Sequence, residues 1–250
     1  MTSNTNWINH RETSKEIKNV YYEQIEDDVL RVIIELNHAQ HWGHAIYYDS
    51  SDRLVIRVRQ QPRELSLEHL KIAVDAGHGG DNNGASGIRT GILEKHYTLM
   101  IAKELEKELL DKEAKVYMTR RNDASIGMIE RTEMIRKEEP DLMLSIHLNS
   151  SVRDSIRGAS TYYRYIGFRS LTKYILDHMV RINGLKNFGN IGNFNFALSG
   201  PTEYPNCLVE VAFLSNPDDE KLIRDPAFHK EVAKQIVEGI KEWLKSLKDD

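Results

Sequence analysis

Cysteine is almost absent: one residue in 250, Cys207. An internal disulfide and any multi-cysteine zinc or iron–sulfur site are therefore excluded. If a metal is bound, histidines and carboxylates must hold it. No uncharged apolar run approaches the ~20 residues of a membrane span. Basic residues are not in excess, with 34 Lys and Arg against 38 Asp and Glu and a formal net charge of −4. That removes the generic electrostatic footprint of a nucleic-acid binder. Residues 1–18 are polar and lack the apolar core of a signal peptide. At face value this reads as cytoplasmic, and a chain whose export signal had been removed would read the same way. The remaining composition, 40% hydrophobic and 29% charged, is that of a globular protein.

Two regions differ in rhythm. Up to residue 63 the chain reads as short strands, at 29–36, 45–48 and 54–59. The last alternates apolar and basic residues at period two. Gln60-Gln61-Pro62-Arg63-Glu64 breaks the pattern and marks a linker. Residues 1–63 thus form a small β-rich segment of unassigned role, too slight to be stable unless it packs on something else. From residue 70 strands alternate with helices. Strands are predicted at 71–75, 115–119, 142–146, 159–165 and 207–213, and amphipathic helices at 97–110, 126–137, 168–182 and 228–247. This alternation predicts an α/β domain over 70–250, a sheet with helices on both faces.

Four polar residues stand out against that frame. His78 lies in Asp75-Ala76-Gly77-His78-Gly79-Gly80, directly after the first strand of the domain. The glycines allow a sharp turn and close backbone approach, but the spacing is neither Gly-x-Gly-x-x-Gly nor a P-loop. A plain loop with a surface histidine is the competing account. His147 ends the strand at 142–146, and ligands of open α/β sheets bind beyond the carboxyl ends of strands. Both histidines therefore fall at one rim. Glu94, just before the helix at 97–110, is favourable there through the helix dipole alone. Glu210 interrupts the apolar run Cys207 to Leu214. An ionised carboxylate in a buried strand is costly unless paired, unless the strand is an edge facing water. Two histidines and a glutamate, with a further glutamate as base, match the inventory of a hydrolytic zinc site.

In order along the chain, the blocks at 75–80, Leu93-Glu94-Lys95, Ser145-Ile146-His147-Leu148-Asn149 and 208–217 resemble the zinc-dependent N-acetylmuramoyl-L-alanine amidases that cut bacterial peptidoglycan. Thr119-Arg120 with Asp123, and residues 158–163, also fit that pattern. The resemblance covers residues 70–247, some 70% of the chain. It implies a mixed, mostly parallel sheet of about six strands. It implies one catalytic zinc held by His78, Glu94 and His147, with Glu210 as general base and acid. The substrate implied is peptidoglycan or a muropeptide, cut between the lactyl group of N-acetylmuramic acid and L-alanine. The place implied is the periplasm or cell wall, and no regulatory protein partner is identified. Some relatives carry a long helical insertion that blocks the site; only about forty residues separate Tyr165 from Cys207 here, so an open site is expected. Two departures matter. Ala76 replaces a frequent proline, and Ser199 stands where the family often has an arginine near the cleft, which puts recognition of the stem peptide in question.

Other histidines and arginines attract less. His38, His41 and His44 are spaced by three, but Gly43 and the strand-like context disfavour a shared helix face, so a polar loop is expected rather than a second metal site. His96 reads as helix-start surface, and Arg120 and Arg121 as partners of nearby acids. A zinc enzyme cutting another amide of the stem peptide, and a wall-binding protein without catalysis, are the rival readings.

Overall fold

A computed structural model of the chain describes residues 15–248, so most of the polar stretch 1–18 lies outside the described residues. Two hairpins come first. β1 (Ile17–Glu26) and β2 (Val29–Leu36) pair antiparallel, as do β3 (His44–Tyr48) and β4 (Leu54–Val58). Trp42, in the connection between them, is fully buried and stacks on Trp243 at a ring separation of 5.2 Å. The second hairpin is thereby fastened to the main core.

The remaining elements are β5 (Lys71–Ala76), α1 (Glu94–Leu110), β6 (Lys115–Met118), α2 (Met128–Glu138), β7 (Leu142–Asn149), β8 (Ala159–Tyr162), α3 (Arg169–Met179), β9 (Asn187–Ile191), β10 (Asn206–Phe213), α4 (Pro217–Ile223) and α5 (Pro226–Ser246). The six strands of the main sheet run in the order β6-β5-β7-β10-β8-β9. β6, β5, β7 and β10 are mutually parallel, β8 is antiparallel to β10, and β9 is parallel to β8. The sheet is mixed and mostly parallel, as expected. No helix among the described residues is long and apolar enough to cross a membrane.

Alternation along the strands divides the sheet into unequal faces. Ile72, Val74, Leu142, Leu144, Ile146 and Val209 point into a large core shared with α1, α3 and α5. Ala73 and Met143 face a small cluster completed by Ile135 of α2, Leu198 and Tyr204. Register carries the polar residues onto that thinly covered side: Ala73 pairs with Met143, Asp75 with Ser145, Leu208 with Ser145 and Glu210 with His147. In-register neighbours of a parallel ladder share a face, so Asp75, Ser145, His147 and Glu210 lie together on that side of the sheet.

The structure shifts several boundaries. β7 continues to Asn149, so His147 sits within the strand. α1 begins at Glu94, three residues earlier than predicted, behind Leu93, whose side chain makes no cap. β1, β9 and α4 were not predicted.

Candidate metal centre

β5 ends at Ala76 and the chain turns at Gly77 and His78. A Cβ on Gly77 would lie 2.4 Å from the His147 ring, so only glycine lets the turn pass against that imidazole. His78 takes a left-handed backbone, φ +63°, a conformation of order 1–3 kcal/mol above the favoured regions unless its surroundings enforce it. They do: the Arg131 guanidinium donates to its carbonyl, and its Nδ1 lies 2.9 Å from Asn82 Oδ1. With a metal bound, an Nδ1–H directed at Asn82 would leave the lone pair of Nε2, which faces Glu94, for the ion.

Glu94, the first residue of α1, is buried. Its Oε1 stands 3.0 Å from His78 Nε2 and 3.1 Å from His147 Nδ1. The amides of Leu148 and Ala85 donate to its two oxygens at 3.0 and 2.8 Å. Burial opposes its ionisation, but the bonds from His147 and His78 overrule it and hold the carboxyl at about 2. Gly84, at φ +67°, makes room: a Cβ there would sit 2.4 Å from Glu94 Oε2. Donor atoms of His78, Glu94 and His147 all lie within 4.8 Å of one another, and among the described residues no other group of three or more His, Cys, Asp or Glu could hold a metal. The set fits a divalent cation: three N/O donors, with His78 further fixed through Asn82 and Glu94 through the Leu148 and Ala85 amides.

Glu210 is 8% exposed, and its Oε2 is buried without a hydrogen-bond partner. Burial raises its pKa to about 7, with Glu94 pushing in the same direction and His147 pulling down. A carboxylate left unsatisfied beside a cluster of two histidines is poised to exchange a proton. Tyr162 of β8, whose pKa is raised by burial and by the nearby Glu210 charge, packs ring to ring with Phe194 and Phe196 of the loop after β9, centroids 4.7–5.3 Å apart. A cavity of about 250 Å³ opens beside His78, His147 and Asn82 and is bounded on its far side by Ser125 and Met128.

Beneath the cluster lies a buried polar network that sequence reasoning missed. Asp75 accepts from Arg131 at 2.6 Å, Thr119 Oγ1 at 2.7 Å and Ser145 Oγ at 2.8 Å. Burial alone would raise its pKa; the Arg131 and His147 charges and the Thr119 hydroxyl hold it below the ordinary carboxylate range. Arg120 and Arg131, each 3% exposed, together hold the carbonyls of Ala76, Gly77 and His78. Arg120 therefore spends its donors chiefly on backbone, while Arg121 pairs with Glu106. Asp123 pairs instead with Lys95 at 2.9 Å and accepts from the Gly80 amide. The available signal was an aspartate inside a buried strand, the same anomaly that exposed Glu210.

The residues set aside stay apart. His41 and His44 contact each other at 2.9 Å, His38 lies 3.6 Å from Glu16, and His96 is exposed. Ser199 is 1% exposed in a short 3-10 turn, so its side chain offers nothing directly to a ligand in the cleft.

A family profile described as N-acetylmuramoyl-L-alanine amidase matches residues 72–242. The "Probable cell wall amidase LytH" of Staphylococcus epidermidis is 33% identical over 188 residues, which cover 74% of this chain and 62% of that protein. The chain thus spans about three-fifths of the length of the curated relatives it matches. Among solved structures, the catalytic domain of CwlV, an N-acetylmuramoyl-L-alanine amidase from Bacillus (Paenibacillus) polymyxa, superposes with a TM-score of 0.67 at 30% identity, covering 70% of this chain and 98% of that one. The N-acetylmuramoyl-L-alanine amidase of Clostridium difficile 630 gives a TM-score of 0.67 at 27% identity, with 71% and 97% covered.

Proposed function

This chain belongs to the N-acetylmuramoyl-L-alanine amidase family, and from that footing we propose that it hydrolyses the amide between the lactyl group of N-acetylmuramic acid and L-alanine in peptidoglycan, outside the cytoplasm at the wall. One zinc ion would be held by His78, Glu94 and His147. Zinc in such a site supplies Lewis acidity, polarising a carbonyl and acidifying water.

The observation that carries the reading is Glu210: buried, unpartnered at Oε2, and in register with His147 on the adjoining strand. Ionised, it takes a proton from the attacking water. As the C–N bond breaks it delivers that proton to the departing amine of L-alanine and returns to its starting state. A pKa near neutrality suits a group that must both accept and release a proton. Asn82 keeps His78 in the tautomer whose Nε2 is a free donor atom, and the Leu148 and Ala85 amides stop Glu94 from turning away. Arg120 and Arg131 hold the turn that carries His78.

Glu210→Gln tests the assignment. It keeps size and strand but cannot accept the proton, so hydrolysis is expected to fall by about 10²- to 10⁴-fold while bound zinc stays at one equivalent. Mass spectrometry of digested muropeptides should show stem peptides beginning at L-alanine. Undiminished turnover in the variant rejects the role of Glu210, and fragments cut within the stem reject the bond assigned.

A further inference from the structure

Glu220 sits on α4, the helix that follows the Glu210 strand; it is 1% exposed and has no part in the chemistry described above. A carboxylate in such a place is costly unless its oxygens are met. One loop meets them. Oε2 accepts the Arg89 amide at 2.8 Å, and Oε1 accepts the Thr90 amide at 2.9 Å together with the Thr90 hydroxyl. Two successive backbone N–H groups converging on an anion form a nest that holds it without a cation. Gly87 permits the approach: a Cβ there would lie 2.5 Å from Glu220 Oε1.

The loop gripped in this way is the one that restrains Glu94. Residues 85–94 fold back on themselves, with the Gly87 amide donating to the Ile92 carbonyl at 2.8 Å and the Glu94 amide to the Ala85 carbonyl at 2.9 Å. Ser86 and Leu93 bridge antiparallel between these bonds. At the base of the loop the Ala85 amide meets Glu94 Oε2. Leu93 gives α1 no side-chain cap, so the preceding loop is what fixes the start of that helix. The other side of the clamp is equally anchored. Asp219, beside Glu220, accepts the Phe213 amide at 3.0 Å at the end of β10, and the Leu214 carbonyl accepts the Ile88 amide at 3.3 Å. Glu220 thus joins the turn that restrains Glu94 to the corner that ends the Glu210 strand.

We infer that Glu220 is a positioning residue of the amidase site: its carboxylate clamps the turn at 86–92 onto the β10–α4 corner and so sets the place of Glu94 relative to Glu210. The inference rests on the proposed amidase reading and adds to it a residue outside the metal cluster.

Glu220→Ala removes all three bonds. Glu220→Gln keeps an acceptor for Thr90 but turns amide hydrogens toward the Arg89 N–H. Zinc affinity of the full chain, read by chelator competition where circular dichroism shows each variant folded, should weaken about ten-fold or more in Glu220→Ala and less in Glu220→Gln. With zinc saturating, kcat on muropeptides should fall while KM holds, a split that a residue serving the fold alone would not produce. Gly87→Ala presses a methyl onto Glu220 Oε1 from the loop side and should reproduce both changes. If Glu220→Ala does not fold, Gly87→Ala decides. Parental zinc affinity and kcat in the folded variants, with only the melting temperature lowered, would overturn the inference. A parent protein that binds no zinc or cuts no muropeptide would instead overturn the amidase reading, and the inference with it.

Discussion

Replacing Arg131 with alanine strands the Asp75 carboxylate in the core. Asp75 is 1% exposed and Arg131 3%, and the two Asp75 bonds that survive, from Thr119 and Ser145, come from neutral hydroxyls. Removing one partner of a buried ion pair costs about 3–5 kcal/mol, because the other charge stays without compensation. Against a total stability of about 5–15 kcal/mol this is about a fifth or more. For a chain of this length it corresponds to a fall in melting temperature of about 6–20 °C. Thermal and urea denaturation followed by circular dichroism measures it. The pH dependence is diagnostic. In the parent protein the Asp75 pKa is held low, so its contribution is present above the ordinary carboxylate range and is lost as pH falls through the lowered value. In the variant burial acts without the guanidinium, the Asp75 pKa rises, and protonation restores stability. The deficit should therefore shrink as pH drops from about 7 toward about 4. A double variant, Arg131→Met with Asp75→Ala, should be less destabilised than Arg131→Ala alone, since it removes the stranded carboxylate together with its partner. A deficit below about 1 kcal/mol at neutral pH, or one that widens on acidification, refutes the reasoning.

Two further outcomes follow from the geometry. Gly77→Ala drives a methyl into the His147 ring and should lower both zinc content and thermal stability, the latter by about 1–3 kcal/mol, as checked by elemental analysis and melting curves; a variant with parental values would show that the turn can relax. After chelation of metal, Glu210 with its pKa raised from 4.5 to about 7 stabilises the fold most at low pH, and this contribution is lost as pH climbs through that window. Glu210→Gln should flatten the decline in a stability–pH series, and an unchanged slope would mean that another group causes it.

The legibility of elements followed how strongly local pattern and burial agree. β5, β7 and β10 carry apolar runs and were readable as strands, and α5 repeats Val232, Ile236, Ile240 and Trp243 at helical spacing. β1 was missed because most of its residues are exposed, so no buried face imposes alternation. β9, Asn187-Phe188-Gly189-Asn190-Ile191, has poor strand formers that pair only because β8 offers an edge. α4 announces itself with Asn216 as cap and Pro217 in its first turn, a start signal present in the sequence and overlooked. α1 has no side-chain cap, so its beginning at Glu94 could not be located from local residues.

Residue chemistry alone settled that any metal here must be met by histidine and carboxylate. It also marked Glu210 as anomalous, because a charge amid seven apolar neighbours conflicts with burial whatever the fold. That Glu210 stands level with His147, and that Glu94 reaches His78 and, across 53 residues, His147, was decided by strand register and by the packing of α1 against the sheet. So was the enlistment of Arg120 and Arg131 to hold three carbonyls of one turn. Periodicity reports which face of its own element a side chain occupies; only the closed sheet brings faces of separate elements to hydrogen-bonding distance.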